Sequence, residues 1–105
     1  MSTLTEIAEP DFDEAVLAGD TPTIVDFWAP WCGPCRMVTP ELEDLAADRH
    51  DVRVVKVNVD DAPGIARRYD IMSIPTIILF KDGEAVRRSV GAKRRDAIEA
   101  DLGLA

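Results

Sequence analysis

The chain has 105 residues, 47% of them apolar, with two cysteines and a formal charge of −8 from twenty acidic against twelve basic residues. That length suffices for one compact domain with a buried core, residues 1–105, and is too short for two. The negative balance disfavours nucleic acid and anionic membrane surfaces as partners, two cysteines cannot staple a secreted scaffold, and no stretch reaches the length of a membrane span.

Residues Met1 to Glu6 carry neither a basic n-region nor a long apolar h-region, so the cytoplasm is the expected compartment. Thr3 to Ile7 reads as a short edge strand, and Pro10 suits the first turn of a helix that ends before Gly19. Thr23 to Ala29 is nearly continuous in apolar and β-forming residues, the pattern of a central strand covered on both faces. From Cys32 or Gly33 to about Arg49, Val38, Leu42, Leu45 and Ala46 recur at helical spacing, and Pro40 inside that run predicts a kink. Valine-rich Arg53 to Val59 is a second central strand. A whole helix separates it from the first, which makes the two parallel and the unit βαβ.

Ala62 to Tyr69 predicts a shorter helix, Ile71 to Pro75 a loop, and Thr76 to Phe80 a third strong strand. Asp82-Gly83 between Leu79-Phe80 and Ala85-Val86 predicts a tight hairpin and therefore an antiparallel fourth partner. Lys93 to Leu102 forms a last helix after Gly91. This order of elements favours an α/β domain: a central mixed sheet of four to five strands with helices on both faces.

Both cysteines lie in Trp31-Cys32-Gly33-Pro34-Cys35, at the carboxyl end of the first central strand. Two intervening residues let the sulfurs meet across one turn at a helix start, as an accessible, readily reversed disulfide. Cys32, just ahead of the helix, faces unpaired backbone N–H groups and the positive end of the dipole, which favour a thiolate; it is the expected attacking sulfur. Cys35 is the expected resolving thiol, because its proximity makes release of a mixed disulfide intramolecular. A zinc half-site is disfavoured: His50 is the only histidine and no further cysteine completes a tetrahedron. His50, at the predicted helix end, reads as a solvated cation without a role. Asp26 interrupts Ile24-Val25-Phe27-Trp28, so in a central strand its carboxyl is buried and its proton affinity raised.

Taken together, Trp31-Cys32-Gly33-Pro34-Cys35 after an apolar strand carrying Asp26, followed by Ile74-Pro75-Thr76 and Gly91, resembles the thioredoxin family over nearly the whole chain. The resemblance implies the thioredoxin fold and a general protein-disulfide reductase that needs no cofactor beyond its own cysteine pair. Its implied partners are disulfide-containing target proteins and a separate thioredoxin reductase, with the protein itself a monomer. It makes Asp26 the general base and acid serving Cys35, with Lys56 as that aspartate's partner. It implies a cis Pro75 that faces the disulfide, keeps metals from the sulfurs and frees the backbone of Ile74 to pair with an extended substrate segment. Trp31, Gly33, Pro34, Ile74, Gly91 and Ala92 would form an apolar, nearly uncharged docking patch around Cys32, with the acidic charge elsewhere. Trp28 would support the site from beneath. Arg36 stands where the family commonly has lysine and keeps the positive charge. Two other readings remain: a disulfide oxidase or isomerase, against which Gly-Pro between the cysteines argues for a reducing poise, and a non-catalytic binding module of the same fold.

Overall fold

Five strands form one sheet in the order β1-β3-β2-β4-β5 in the computed structural model, which describes residues 2–104. The strands are β1 (Thr5–Glu6), β2 (Thr23–Trp28), β3 (Arg53–Asn58), β4 (Thr76–Lys81) and β5 (Glu84–Val90); the helices are α1 (Gly33–Asp48), α2 (Pro63–Arg68) and α3 (Arg95–Asp101). β1 and β2 both run parallel to β3, whereas β4 is antiparallel to β2 and to β5. The sheet is mixed and α/β, as the order of elements predicts.

β2 has neighbours on both edges and apolar side chains on both faces, which is why its sequence shows no clean alternation. On one face Val25, Phe27, Val55, Val57, Ile78 and Phe80 pack against Phe12, Val16 and Ile65. On the other, Ile24, Ile77 and Leu79 meet Val38, Leu42 and Leu45 of α1 and Ile98 and Leu102 of α3. The Asp-Gly turn between β4 and β5 has positive φ at both residues, 51° at Asp82 and 81° at Gly83, as a type I′ hairpin requires.

The segment before Gly19 differs from the expected helix. It is a 3₁₀ turn over Glu9–Asp11 followed by a π-helical turn over Asp13–Leu17, closed by an Ala18 N–H to Asp13 O bond of 3.1 Å. A helix this short has little intrinsic stability, so packing decides its winding. Phe12 and Val16 are the anchors, with the Phe12 ring edge-on to Phe80 at 5.7 Å between centroids. The edge strand contracts from Thr3–Ile7 to Thr5–Glu6, although the Ile7 amide still donates to Lys56 O at 2.8 Å. Pro40 lies inside α1, which runs on through it to Asp48.

Candidate active site

Cys32 is the residue before the first turn of α1. It has extended backbone angles, and its Sγ accepts a 3.2 Å hydrogen bond from the amide of Cys35. The two Cα atoms are 5.4 Å apart and the sulfurs are joined as a disulfide. Pro34, in the first turn, has no N–H to leave unpaired. The free amides and the dipole of a 16-residue helix are thus aimed at Cys32 Sγ, where they favour negative charge. The pair is less open than the motif suggests: Cys32 retains 4% of its surface and Cys35 2%, packed with Ala29, Trp28, Val59 and Ile74. Attack on this bond is confined to an edge.

That edge is formed by the loop before β4. Cys32 Sγ lies 3.8 Å from the carbonyl oxygen of Ile74, the Ile74-Pro75 peptide is cis, and Pro75 O accepts a 2.9 Å bond from the amide of Gly91. Gly91 takes φ of 95°, a conformation that side-chain-bearing residues rarely adopt. Trp31, 68% exposed, and Met72, 91% exposed, share with Val59, Ile71 and Ile74 the lining of an open cavity of about 530 Å³. Gly33, Pro34 and Ala92 are exposed.

The rim of this patch is more charged than the sequence led us to expect. The Trp31 indole N–H donates to Asp60 Oδ2 at 2.9 Å, Arg36 donates to Pro30 O at 3.0 Å, and Arg67 also lines the cavity. The fold brings Asp60 and Arg67 to the side of Trp31 from the segments that follow β3, a proximity that no local sequence signal carries.

Asp26 retains 1% of its surface, and its Oδ1 has no hydrogen-bond partner among the described residues. Burial pushes its carboxyl up to about 7, against the lowering pull of Lys56, while the charge of Glu6 adds to the rise. Lys56 stands opposite Asp26 in the β2–β3 register, with Nζ 4.7 Å from the centre of the Trp28 ring. It also lines a second cavity of about 520 Å³ that reaches Cys35, Trp28, Arg36 and Glu43. Trp28 lies beneath the disulfide and donates its indole N–H to Glu6 Oε2 at 3.4 Å. Glu6, assigned no role from the sequence, is therefore part of this neighbourhood; its one local sign is an acidic residue in a short strand. His50 lies exposed just beyond the end of α1 and lines neither cavity. Among the described residues, no three His, Cys, Asp or Glu side chains group so as to hold a metal ion, and no helix is long and apolar enough to cross a membrane.

A cysteine pair at a helix start, next to a cis-proline loop and following a strand that carries a buried acid, defines the class as thiol–disulfide oxidoreductases. The sequence model described as Thioredoxin matches residues 3–103. A thioredoxin of Mycobacterium bovis is 48% identical over 98 residues, 92% of this chain and 84% of that protein. Thioredoxin 1 of Synechococcus elongatus is 50% identical over 93 residues, 88% of this chain and 87% of its own. A bifunctional thioredoxin reductase/thioredoxin of Mycobacterium leprae is 47% identical over 98 residues, covering 92% of this chain and 21% of that protein. A solved chain from work on thiol resolution in a yeast mitochondrial 1-Cys peroxiredoxin through glutathione/thioredoxin systems superposes with a TM-score of 0.85 at 33% identity, covering 96% of this chain and 94% of that one. The chain belongs to the thioredoxin family, and its Cys32–Cys35 pair is that of a protein-disulfide reductase.

Proposed function

We propose that the chain acts as a single thioredoxin domain, 1–105, which carries two electrons from a reductase to disulfides in target proteins. The Cys32 thiolate attacks one sulfur of the target disulfide, forming a Cys32–target bond as the other target sulfur leaves and takes up a proton. Cys35 then loses its proton to the Asp26 carboxylate and attacks Cys32 Sγ. The mixed disulfide breaks, the second target sulfur leaves and is protonated, and Cys32–Cys35 is the oxidised product. The observation that carries this reading is the amide of Cys35 directed at Cys32 Sγ at 3.2 Å, which favours a thiolate at that sulfur over its neighbour.

Activation alone does little for the rate. Lowering a thiol pKa by one unit gains up to about tenfold in thiolate and loses about threefold in nucleophilicity at a Brønsted slope near 0.45. The larger gain lies in the intramolecular second step. Lys56 partners Asp26. Trp31, Gly33, Pro34, Ile74, Pro75, Gly91 and Ala92 receive the target, whose extended backbone pairs beside the carbonyl of Ile74. Pro75 shields the sulfurs from metals, and the reaction uses no cofactor. The fused reductase of the Mycobacterium leprae relative supports a thioredoxin reductase as the electron source. The protein works as a monomer in the cytoplasm, with no nucleic-acid or membrane partner.

Trapping tests the roles. Cys35→Ser, mixed with a disulfide-bonded protein and quenched by alkylation, accumulates a mixed disulfide through Cys32, whereas Cys32→Ser traps almost none. The opposite pattern on non-reducing gels would overturn the assignment of attacking and resolving thiols.

A further inference from the structure

Glu6, Lys56 and Asp26 form one row across three neighbouring strands: Glu6 is opposite Lys56 in the β1–β3 register, and Asp26 is opposite Lys56 in β2–β3. Residues opposite one another in adjacent strands project from the same face. That face is the one Leu4 and Ile24, two residues before Glu6 and Asp26, present to α1. The row runs from exposed Glu6 at the sheet edge to the fully buried Asp26, with half-buried Lys56 between two carboxylates. Glu6 is held in place, since its Oε2 accepts from the amide of Asn58 at 2.8 Å and from the Trp28 indole at 3.4 Å. The same Trp28 ring carries the Lys56 ammonium 4.7 Å from its centre. One carboxylate thus braces the ring that seats the lysine and shares the lysine's charge with the acid beyond it.

We propose that Glu6 is a positioning residue for the resolving step, drawing the Lys56 ammonium outward and so raising the proton affinity of Asp26 where it serves Cys35. This rests on the reading of Asp26 as the proton acceptor for Cys35. The charged groups facing the row are few. Asp61 lies near Glu6 and repels it, and Arg36 and Glu43 of α1 line the cavity that Lys56 shares with Cys35. Burial also raises the carboxyl of Glu6 itself, opposed by the Asn58 and Trp28 hydrogen bonds and by Lys56. Glu6 therefore reaches full charge later in a titration than a free glutamate. Two strand spacings separate Glu6 from Asp26, about 10 Å. At effective dielectric constants of about 20 to 80, one charge at that range shifts a titration by ~0.3–1.3 pH units.

Glu6→Gln keeps an oxygen for Asn58 and Trp28 and removes the charge. The Asp26 midpoint, followed by carboxyl carbon NMR in reduced wild type and E6Q, is expected to fall by ~0.3–1.3 units in the variant. The acidic limb of the resolving rate, measured as decay of a preformed Cys32 mixed disulfide with a small aromatic thiol, should move down with it. An unmoved midpoint, or a limb that stays while the midpoint falls, overturns the proposal. Asp26→Asn separates the two ideas. If it abolishes the limb, the proton role of Asp26 stands and E6Q judges Glu6 alone; if the limb persists, the proton role itself fails and the proposal falls with it.

Discussion

Asp26 carries a cost that its position makes visible. The unfolded chain releases this proton at about pH 4, while the folded chain holds it to about 7. The folded state therefore binds more protons in that window, and its stability falls as pH rises through it, by about 4 kcal/mol in all. Below pH 4 both states are protonated and above 7 both are ionised, so the loss is complete near neutrality. Asp26→Asn removes the ionisation: urea midpoints of the variant should stay flat from pH 4 to 7 relative to wild type, and its stability above pH 7 should exceed wild type by up to about 4 kcal/mol. Parallel profiles for the two proteins would contradict the burial of an ionised carboxylate. The burial itself was legible in the sequence, because Asp26 breaks an apolar run. Of its charged neighbours, Lys56 was reached through the family resemblance and Glu6 not at all; both come from other strands, and the bond that holds Glu6 to Asn58 spans 52 positions.

Local signals account for most of the elements. Asp82-Gly83 encodes its own turn, because both residues tolerate positive φ, and the apolar runs place β2, β3 and β4 to within one residue of the expected Thr23–Ala29, Arg53–Val59 and Thr76–Phe80. The short elements are decided by contacts instead. α2 has six residues and no side chain of its own capping its first turn. The cap comes from the 3₁₀ turn, where Glu9 Oε2 accepts from the amide of Ile65 at 2.9 Å. Gly64 leaves room for it, since a β-carbon there would stand 2.9 Å from the same oxygen. Glu9→Ala should destabilise the protein by about 0.5–2 kcal/mol, the range for a lost helix cap. Amide exchange at Ile65 should accelerate more than at Ile98 of α3, and equal protection at both would show that the cap is dispensable. No sequence rule joins Glu9 to Ile65, 56 positions on, because the link depends on how the segment before β2 is laid across the sheet.

The whole molecule consists of one sheet separating two apolar clusters. Ile65 belongs to the cluster under α2 and Ile98 to the cluster under α1 and α3, with the backbone of β2, β3 and β4 between them. Ile65→Val and Ile98→Val should each cost about 0.5–1.5 kcal/mol, as expected for a lost buried methylene. Combined, the two losses should add to within about 0.5 kcal/mol, as for sites that share no partners. A larger coupling in denaturant unfolding would mean that strain crosses the sheet. At this scale the net charge of −8 is spread over the outer surface, and Asp60 and Arg67 bring part of the charge to the rim around Trp31, where a nearly uncharged patch was expected.

What the amino-acid order settled by itself was local in its physics. Side-chain period and turn chemistry determined the succession of strands and helices, the two-residue spacing determined that both sulfurs share one helical turn, and apolar neighbours marked Asp26 as buried. The tertiary structure decided the contacts made at long separation. It placed the carbonyl of Ile74 against Cys32 across 42 positions, tied Asp60 to Trp31, wound residues 9–17 as 3₁₀ and π turns, and aligned Glu6, Lys56 and Asp26 in one row. These contacts depend on strand register and on which faces are covered, and no stretch of chain can specify register until its partner strand is in place.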